Sequence, residues 1–330
     1  MPATDRLHRA ARFEDVVHRW RERGARRRGK LPTVVAFTGY GTERSVRILA
    51  RVLFVRDEPH AARVRGWRSF VSVPISNARV TVRIGETETA LVADRGGVID
   101  AMVDVSLRPG WHTATFITED GPESTAPVVV VGDGVTTGVI SDVDDTVMVT
   151  MLPRPLLAAW NTFVLNEHAR IPTAGMAVLY EKLLAKHAGA PVVYLSTGAW
   201  NVAPTLRRFL SRNLFPAGPL LLTDWGPTHD RWFRSGKAHK EENLRRLAVE
   251  FPNIRWILVG DDGQHDIDLY SYFAAEFPDH VRAIVIREMT GGEAVLAGGR
   301  AGHDADAPVP VVFGPDGATL SGKLSELGVL

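Results

Sequence analysis

Apolar and polar positions change rhythm along this chain. Val46–Val55, Val71–Val73, Arg79–Ile84, Val98–Val105, Thr113–Thr118 and Val128–Val131 alternate or are rich in β-branched residues, the period of half-buried strands. Gly, Pro, Asn and Asp punctuate them roughly every eight to twelve residues, which predicts a small antiparallel sandwich. After Gly134 short apolar runs alternate with helical segments. Strands are expected at Val139–Ser141, Val192–Leu195, Leu220–Thr223, Ile254–Val259 and Ala283–Ile286. Helices are expected near Pro155–Leu165, Ala174–His187, Val202–Phe215 and Lys240–Glu250. That alternation predicts an α/β unit, a parallel sheet with helices on both faces.

Gly132-Asp133-Gly134 reads as a linker, which divides the chain into a head over 1–30, a β-sandwich over 31–132 and an α/β unit over 133–330. Asp94-Arg95-Gly96-Gly97 and Arg108-Pro109-Gly110 are turn signals between strands, and this part resembles transthyretin-like or immunoglobulin-like sandwich modules. Gly298–Pro308 reads as a loose tail, and Val311–Leu330 as an element packing back.

Charge changes the picture at the N-terminus. Residues 1–30 hold ten basic and four acidic residues, net +6, whereas the rest holds 29 basic and 34 acidic. Phe13, Val16, Val17 and Trp20 share a helical face, and Arg9, Arg12, Arg19 and Arg23 surround it. Such a helix either lies in a lipid headgroup layer or docks on its own domain with its arginines solvated. The 330 residues are 45% hydrophobic and 23% charged, with no cysteine, so disulfides, thiolate metal sites and cysteine nucleophiles are excluded. No apolar run nears the roughly 18 residues of a membrane span, and residues 1–30 lack a signal peptide's apolar core. A soluble cytoplasmic protein, peripheral at the inner membrane face, is the expectation. No nucleic-acid-binding module is recognisable.

The chemistry sits at strand ends. Gly138-Val-Ile-Ser-Asp142-Val-Asp144-Asp145-Thr146 runs an apolar strand into a DxDxT pattern. Ligands of α/β sheets bind beyond the carboxyl ends of strands. Residues two apart in extended chain share a face, so Asp142 and Asp144 converge, and a hard cation such as Mg²⁺ relieves their repulsion. Trp256-Ile-Leu-Val-Gly260-Asp261-Asp262-Gly263-Gln264-His265-Asp266 repeats the arrangement, bringing Asp261 and Asp266 towards the same metal. Val192–Leu195 ends in Ser196 and Thr197, hydroxyls suited to phosphate oxygens, and Lys240 opens a helix where it balances phosphate charge. Singly, these are what caps, turns and solvated lysines look like; in this order they form a set.

That set resembles the haloacid dehalogenase-like phosphohydrolases. "SDVDDTV", "YLSTGAWN", "PLLLTDWG", "HK" and "LVGDDGQHD" are similar to the catalytic domain of the actin-patch-protein-one type of Mg²⁺-dependent phosphatidate phosphatases, over about 135–290. The resemblance implies a Rossmann-like haloacid dehalogenase fold with Asp142 as nucleophile, forming an aspartyl-phosphate. Asp144 would be general acid and then base. Thr146, Ser196 and Lys240 would hold phosphate oxygens. Mg²⁺ would be held by Asp142, the Asp144 backbone carbonyl, Asp261 and Asp266. The sequence departs at Asp262, where the family has Ser, which adds a carboxylate expected to alter metal binding slightly. Lys237 is an alternate phosphate lysine, and His239 and His265 are candidate assistants. Trp200, Trp225, Trp232 and Phe233 line a lipid-accepting mouth or simply pack.

The implied function is hydrolysis of phosphatidate, or a related lipid phosphate, to diacylglycerol and phosphate. A soluble phosphomonoester would use the same site. A third reading is a membrane- or protein-binding module with a vestigial phosphatase fold, against which the intact Asp142, Asp144, Lys240 and Asp261 argue.

Overall fold

Period-two burial and period-3.6 burial segregate into two parts. The computed structural model describes residues 23–25, 27–56, 73–149, 171–223, 236–263, 266–297 and 307–330. In the first part lie β1 (Lys30–Ala36), β2 (Gly39–Thr42), β3 (Ser45–Arg56), β4 (Val73–Pro74), β5 (Arg79–Ile84), β6 (Thr87–Val92), β7 (Val98–Asp104), β8 (Gly110–Ile117) and β9 (Ser124–Val131). They form one nine-stranded sheet. Alternate residues of these strands, among them Val46, Ile48, Val80, Val82, Ala114, Phe116, Val128 and Val130, enclose one apolar core. The β-rich region expected from the alternation is therefore present. It is not wholly antiparallel: β2 runs parallel to β9 while pairing antiparallel with β3. The Asp94 turn is closed by its own carboxylate, which accepts from the N–H groups of Gly96 (2.7 Å) and Val98 (2.9 Å), a favoured use of Asp in turns.

The second part holds β10 (Thr137–Asp142), β11 (Met148–Val149), β12 (Ile171–Pro172), β13 (Val192–Ala199), β14 (Leu220–Thr223), β15 (Arg255–Asp261), β16 (Val281–Arg287) and β17 (Val311–Gly314). Its helices are α1 (Met176–Lys186), α2 (Ala203–Arg212), α3 (Gly236–Glu250), α4 (Asp266–Glu276), α5 (Gly291–Ala297) and α6 (Gly317–Glu326). Six strands make a parallel sheet in the order β14-β13-β10-β15-β16-β17. Neighbouring residues of one strand face opposite cores. Val139, Val192, Tyr194, Ile257 and Val259 pack with α1, α2 and α6. Ile140, Val193, Leu195 and Leu258 pack with α3 and α4. Both faces of the sheet are thus covered, which its continuous apolar strands require. Close packing uses Gly138, where a Cβ would lie 2.4 Å from the Trp256 ring.

Several expectations shift in detail. Lys240 does not open its helix, which starts four residues earlier at Gly236. The helix expected over Val202–Phe215 is the shorter α2, with a 3-10 turn at Trp200–Val202 before it. The head's apolar face at 13–20, the Pro155–Leu165 helix and most of the Gly298–Pro308 tail lie outside the described residues.

The two parts share packing. Tyr40 and Val131 join the core under α3 and α4, and Arg47 of β3 pairs with Glu250 of α3 and with Asp100. Phe37 meets the Trp200 ring edge-on at 6.1 Å, and the Arg51 guanidinium lies 4.4 Å over it. Among the described residues no helix is long and apolar enough to cross a membrane.

Candidate active site

Strand order places the chemistry. The chain leaves β10 towards β13 and β14, then returns to β15 on β10's other side, so the crevice at the carboxyl ends of β10 and β15 is the sheet's topological switch point. Asp142 is the last residue of β10 and Asp261 the last of β15. Asp266 is the first residue of α4. All three are buried, and one carboxylate oxygen from each lies within 4.8 Å of the others. Lys240, in the second turn of α3, reaches in: its Nζ is 2.6 Å from Asp142 Oδ1 and 2.6 Å from Asp266 Oδ1.

The residues after Asp142 fold back at once. The N–H groups of Val147 and Met148 both donate to the Val143 carbonyl. Asp145 adopts a left-handed conformation, φ 59°, which Asp tolerates better than most residues. The reversal leaves Asp144 half-buried, with its Oδ2 accepting from Ser196 Oγ at 3.0 Å. Ser196 Oγ also accepts from the Gly198 N–H at 3.0 Å. Thr146 is fully buried and donates to Asp261 Oδ2 at 3.5 Å. All seven predicted site residues, Asp142, Asp144, Thr146, Ser196, Lys240, Asp261 and Asp266, thus meet in one crevice although they span 125 positions of sequence.

Electrostatics follow from burying three carboxylates around one ammonium. Burial pushes Asp142 well above the usual carboxylate range against the pull of Lys240, and Asp266, Asp261 and Asp144 push it further. Burial, with Asp266 next, raises Asp261 to about 8. Burial would depress Lys240, but the facing Asp142 and Asp266 carboxylates hold its ammonium well above the ordinary lysine range. Asp266 Oδ2 is buried and accepts no hydrogen bond. With all three carboxylates ionised the cluster would carry two negative charges in excess of Lys240, and that, with an uncoordinated oxygen, suits a divalent cation bound through oxygen. Asp142, Asp261 and Asp266 could hold one.

Other expectations need correction. The Asp144 carboxylate is not in the acidic triad, because Ser196 holds it on the β13 side. Asp262 does not face the triad either: it is fully buried, and its Oδ1 accepts from the Met289 N–H at 2.8 Å. The extra carboxylate caps the turn after β16: Asp262, just beyond the end of β15, also donates its own N–H to the Arg287 carbonyl at 2.9 Å, which ties it to that strand's end. Lys237 lies on the exposed side of α3, 3.9 Å from Glu241 and over the Tyr272 ring. His239 is turned to the Leu221 carbonyl at 3.3 Å, and burial lowers its pKa. Trp200 packs at the junction of the two parts. Trp225, Trp232, Phe233 and His265 lie outside the described residues.

Sequence reasoning missed Arg287. At the end of β16 its buried guanidinium donates to the Asp145 carbonyl at 2.7 Å and pairs with Glu293 at 2.9 Å. It thereby holds the strained residue of the DxDxT turn. The available signal was a charged residue ending the apolar run Ala283–Ile286.

Residues 137–288 match the family model described as the catalytic domain of phosphatidate phosphatase APP1, so the resemblance read from the motifs is borne out. Phosphatidate phosphatase APP1 of Saccharomyces cerevisiae is 27% identical over 46% of this chain and 25% of its own length. An uncharacterized protein of Schizosaccharomyces pombe is 26% identical over the same shares. The chain thus spans about a quarter of the length of these relatives. Among solved structures, the Pnkp1/Rnl/Hen1 complex aligns at 19% identity over 46% of this chain and 50% of that one, with a TM-score of 0.31, too slight an overlap to bear on fold or function. At the level of the family, the likeness supports a phosphatase.

Proposed function

We propose that this chain is a Mg²⁺-dependent phosphatidate phosphatase with a haloacid dehalogenase-type catalytic domain over 133–330, which releases diacylglycerol and phosphate. The single observation that carries the reading is the placement of Asp142, ending β10, against Asp261, Asp266 and Lys240 across the switch point, with Asp144 two residues on and held by Ser196. The stretch that builds this crevice lies almost wholly within the matched residues 137–288.

The Asp142 carboxylate attacks phosphorus, and the bond from phosphorus to the diacylglycerol oxygen breaks as the aspartyl-phosphate forms. Asp144 gives its proton to the leaving alkoxide. It then takes a proton from the water that attacks the acyl-phosphate, which frees phosphate and restores Asp142. Asp144 can switch roles because it is only half-buried, with one oxygen on the Ser196 hydroxyl. Ser196, Thr146 and Lys240 offer hydroxyl and ammonium donors to the phosphoryl oxygens, so Lys240 exchanges carboxylate partners for phosphate. Asp142, Asp261, Asp266 and the Asp144 carbonyl would hold Mg²⁺, whose charge offsets that on carboxylates and phosphate alike. Arg287, through the Asp145 carbonyl, sets the turn that presents Asp144. The β-rich region over 31–132 and the head over 1–30 would be separate units, and the site of action the cytoplasmic membrane face.

The test is phosphate release from phosphatidate in mixed micelles, with Mg²⁺ or EDTA, for the parent chain and Asp144→Asn. Mg²⁺-dependent release that falls about 10²–10⁴-fold in the variant is expected. Turnover of an aryl phosphate alone would remove the lipid substrate but keep the site; turnover of neither would sink the reading.

A further inference from the structure

β14 lies at the edge of the parallel sheet, beside β13, and its last residue touches the turn that carries Ser196. The two strands pair Tyr194 with Leu220 and Leu195 with Leu221, and then Ala199 with Thr223. Ser196, Thr197 and Gly198 therefore stand opposite the single residue Leu222. Such a bulge takes its residues out of the ladder and re-aims their side chains. The carbonyls of Thr197 and Gly198 meet the Thr223 hydroxyl instead: Thr223 Oγ1 lies 2.8 Å from the first and 3.1 Å from the second, one proton shared between two acceptors. α3 starts close to the same turn, since a Cβ on Gly236 would lie 2.5 Å from Thr197 Cγ2.

One peptide group links this contact to the crevice. The Thr197 carbonyl and the Gly198 N–H belong to the same planar unit. That N–H donates to Ser196 Oγ at 3.0 Å, and Ser196 Oγ donates to Asp144 Oδ2 at 3.0 Å. A hydroxyl has one proton to give. With Gly198 on the acceptor side of Ser196, its proton points into the crevice. Three hydrogen bonds thus run in one direction, from Thr223 through peptide 197–198 and Ser196 to Asp144, and bonds in such a chain polarise one another.

We infer that Thr223 is a positioning residue for the site: its hydroxyl fixes peptide 197–198, and that peptide fixes the direction in which Ser196 offers its proton. Without the Thr223 donor the two bulge carbonyls lose the bond that stands in for the missing ladder, and the peptide is free to rotate its N–H away from Ser196. The consequence for phosphoryl transfer rests on the proposed function, in which Ser196 donates to a phosphoryl oxygen; the hydrogen-bonded chain itself does not.

Thr223→Val keeps the shape of the side chain and removes the donor, whereas Thr223→Ser keeps the hydroxyl. In the full chain without substrate, hydrogen exchange at the Gly198 amide should quicken about fivefold or more in Thr223→Val. It should return towards the parent rate in Thr223→Ser, and the amides of Val192–Leu195 should keep their rates in both. With Mg²⁺ and phosphatidate in mixed micelles, or an aryl phosphate, kcat/KM should fall about three- to tenfold in Thr223→Val, the loss of roughly one hydrogen bond. Thr223→Ser should recover most of that loss. In a Ser196→Ala background Thr223→Val should cost little more, since both changes cut one path. Exchange at Gly198 unmoved by Thr223→Val, an equal loss from Thr223→Ser, or a full further loss in the Ser196→Ala background would overturn the inference. A parent chain that turns over neither phosphate would remove the proposed function and the kinetic role with it, and exchange at Gly198 would still decide whether Thr223 holds the peptide.

Discussion

Withholding metal should make this protein less stable as pH rises from 6 to 8. Asp261 is buried and raised to about 8, chiefly by burial and then by Asp266, whereas an unfolded Asp titrates near about 3.9. Between those values the folded state keeps a proton that the unfolded state has released. Stability then falls with increasing pH by up to about 1.4 kcal/mol per unit, and integrating from pH 6 to 8 with the folded value near 8 gives a loss of about 2 kcal/mol. Asp142, also raised by burial, acts in the same direction. A divalent cation on the triad favours the ionised carboxylates and should flatten the slope; its binding at pH 7 should release about 0.9 proton from Asp261 by the same numbers, and more in total as Asp142 ionises with it. Urea unfolding in EDTA and in Mg²⁺ at the two pH values measures the first effect, and calorimetry in buffers of different ionisation enthalpy the second. Asp261→Asn should weaken the EDTA slope. An EDTA-treated protein that is no less stable at pH 8 than at pH 6 would refute the assignment of these carboxylates to one buried, like-charged cluster.

Three further outcomes test the architecture around the site. Arg287→Ala removes the guanidinium from Glu293, whose carboxylate keeps the Thr290 N–H as a donor, and removes the donor to the Asp145 carbonyl; unfolding should show a loss of roughly 3 kcal/mol, and phosphatase kcat should fall more than KM rises. Gly138→Ala places a Cβ 2.4 Å from the Trp256 ring and should cost about 1–3 kcal/mol by overpacking, read as a lowered urea midpoint with unchanged m-value. Arg47→Met leaves Glu250 and Asp100 without that partner where the two parts meet; thermal unfolding should lose roughly 3 kcal/mol, and limited proteolysis at the junction should accelerate.

How much was legible beforehand varied with the range of the interaction. Strands whose side chains meet one environment were visible: Arg79–Ile84 shows as a period-two pattern and is found as β5 with the same bounds. The buried strands β10, β13 and β15 were visible as continuous apolar runs because helices cover both their faces. β1 and β2 were not foreseen. Neither is strongly patterned, and β2 takes its place from a parallel partner nearly ninety residues away, Gly39 opposite Val128. α4 escaped as well, since its first residue, Asp266, was read as the end of an acidic loop. Its apolar positions, Ile267, Tyr270, Phe273 and Ala274, nonetheless have helical spacing.

By itself the sequence determined the residue types, and the order of strand ends, that the proposed phosphoryl site would use: DxDxT after one apolar strand, Ser196 after the next, Lys240 on a helix and Asp261 with Asp266 after a third. Local chemistry suffices for that, because carboxylates and hydroxyls following apolar runs fall at strand ends wherever the sheet forms. Only the tertiary structure decided which of them touch. The switch point brings Asp142 and Asp261 together. The left-handed turn at Asp145 sends Asp144 towards Ser196 and away from the triad, and the backbone bond from Asp262 to Arg287 sets its carboxylate on Met289 instead of the site. These are differences of one residue in position and of a few ångströms in space. They are set by strand register and by long-range partners such as Arg287, which lies 142 positions from the carbonyl it holds.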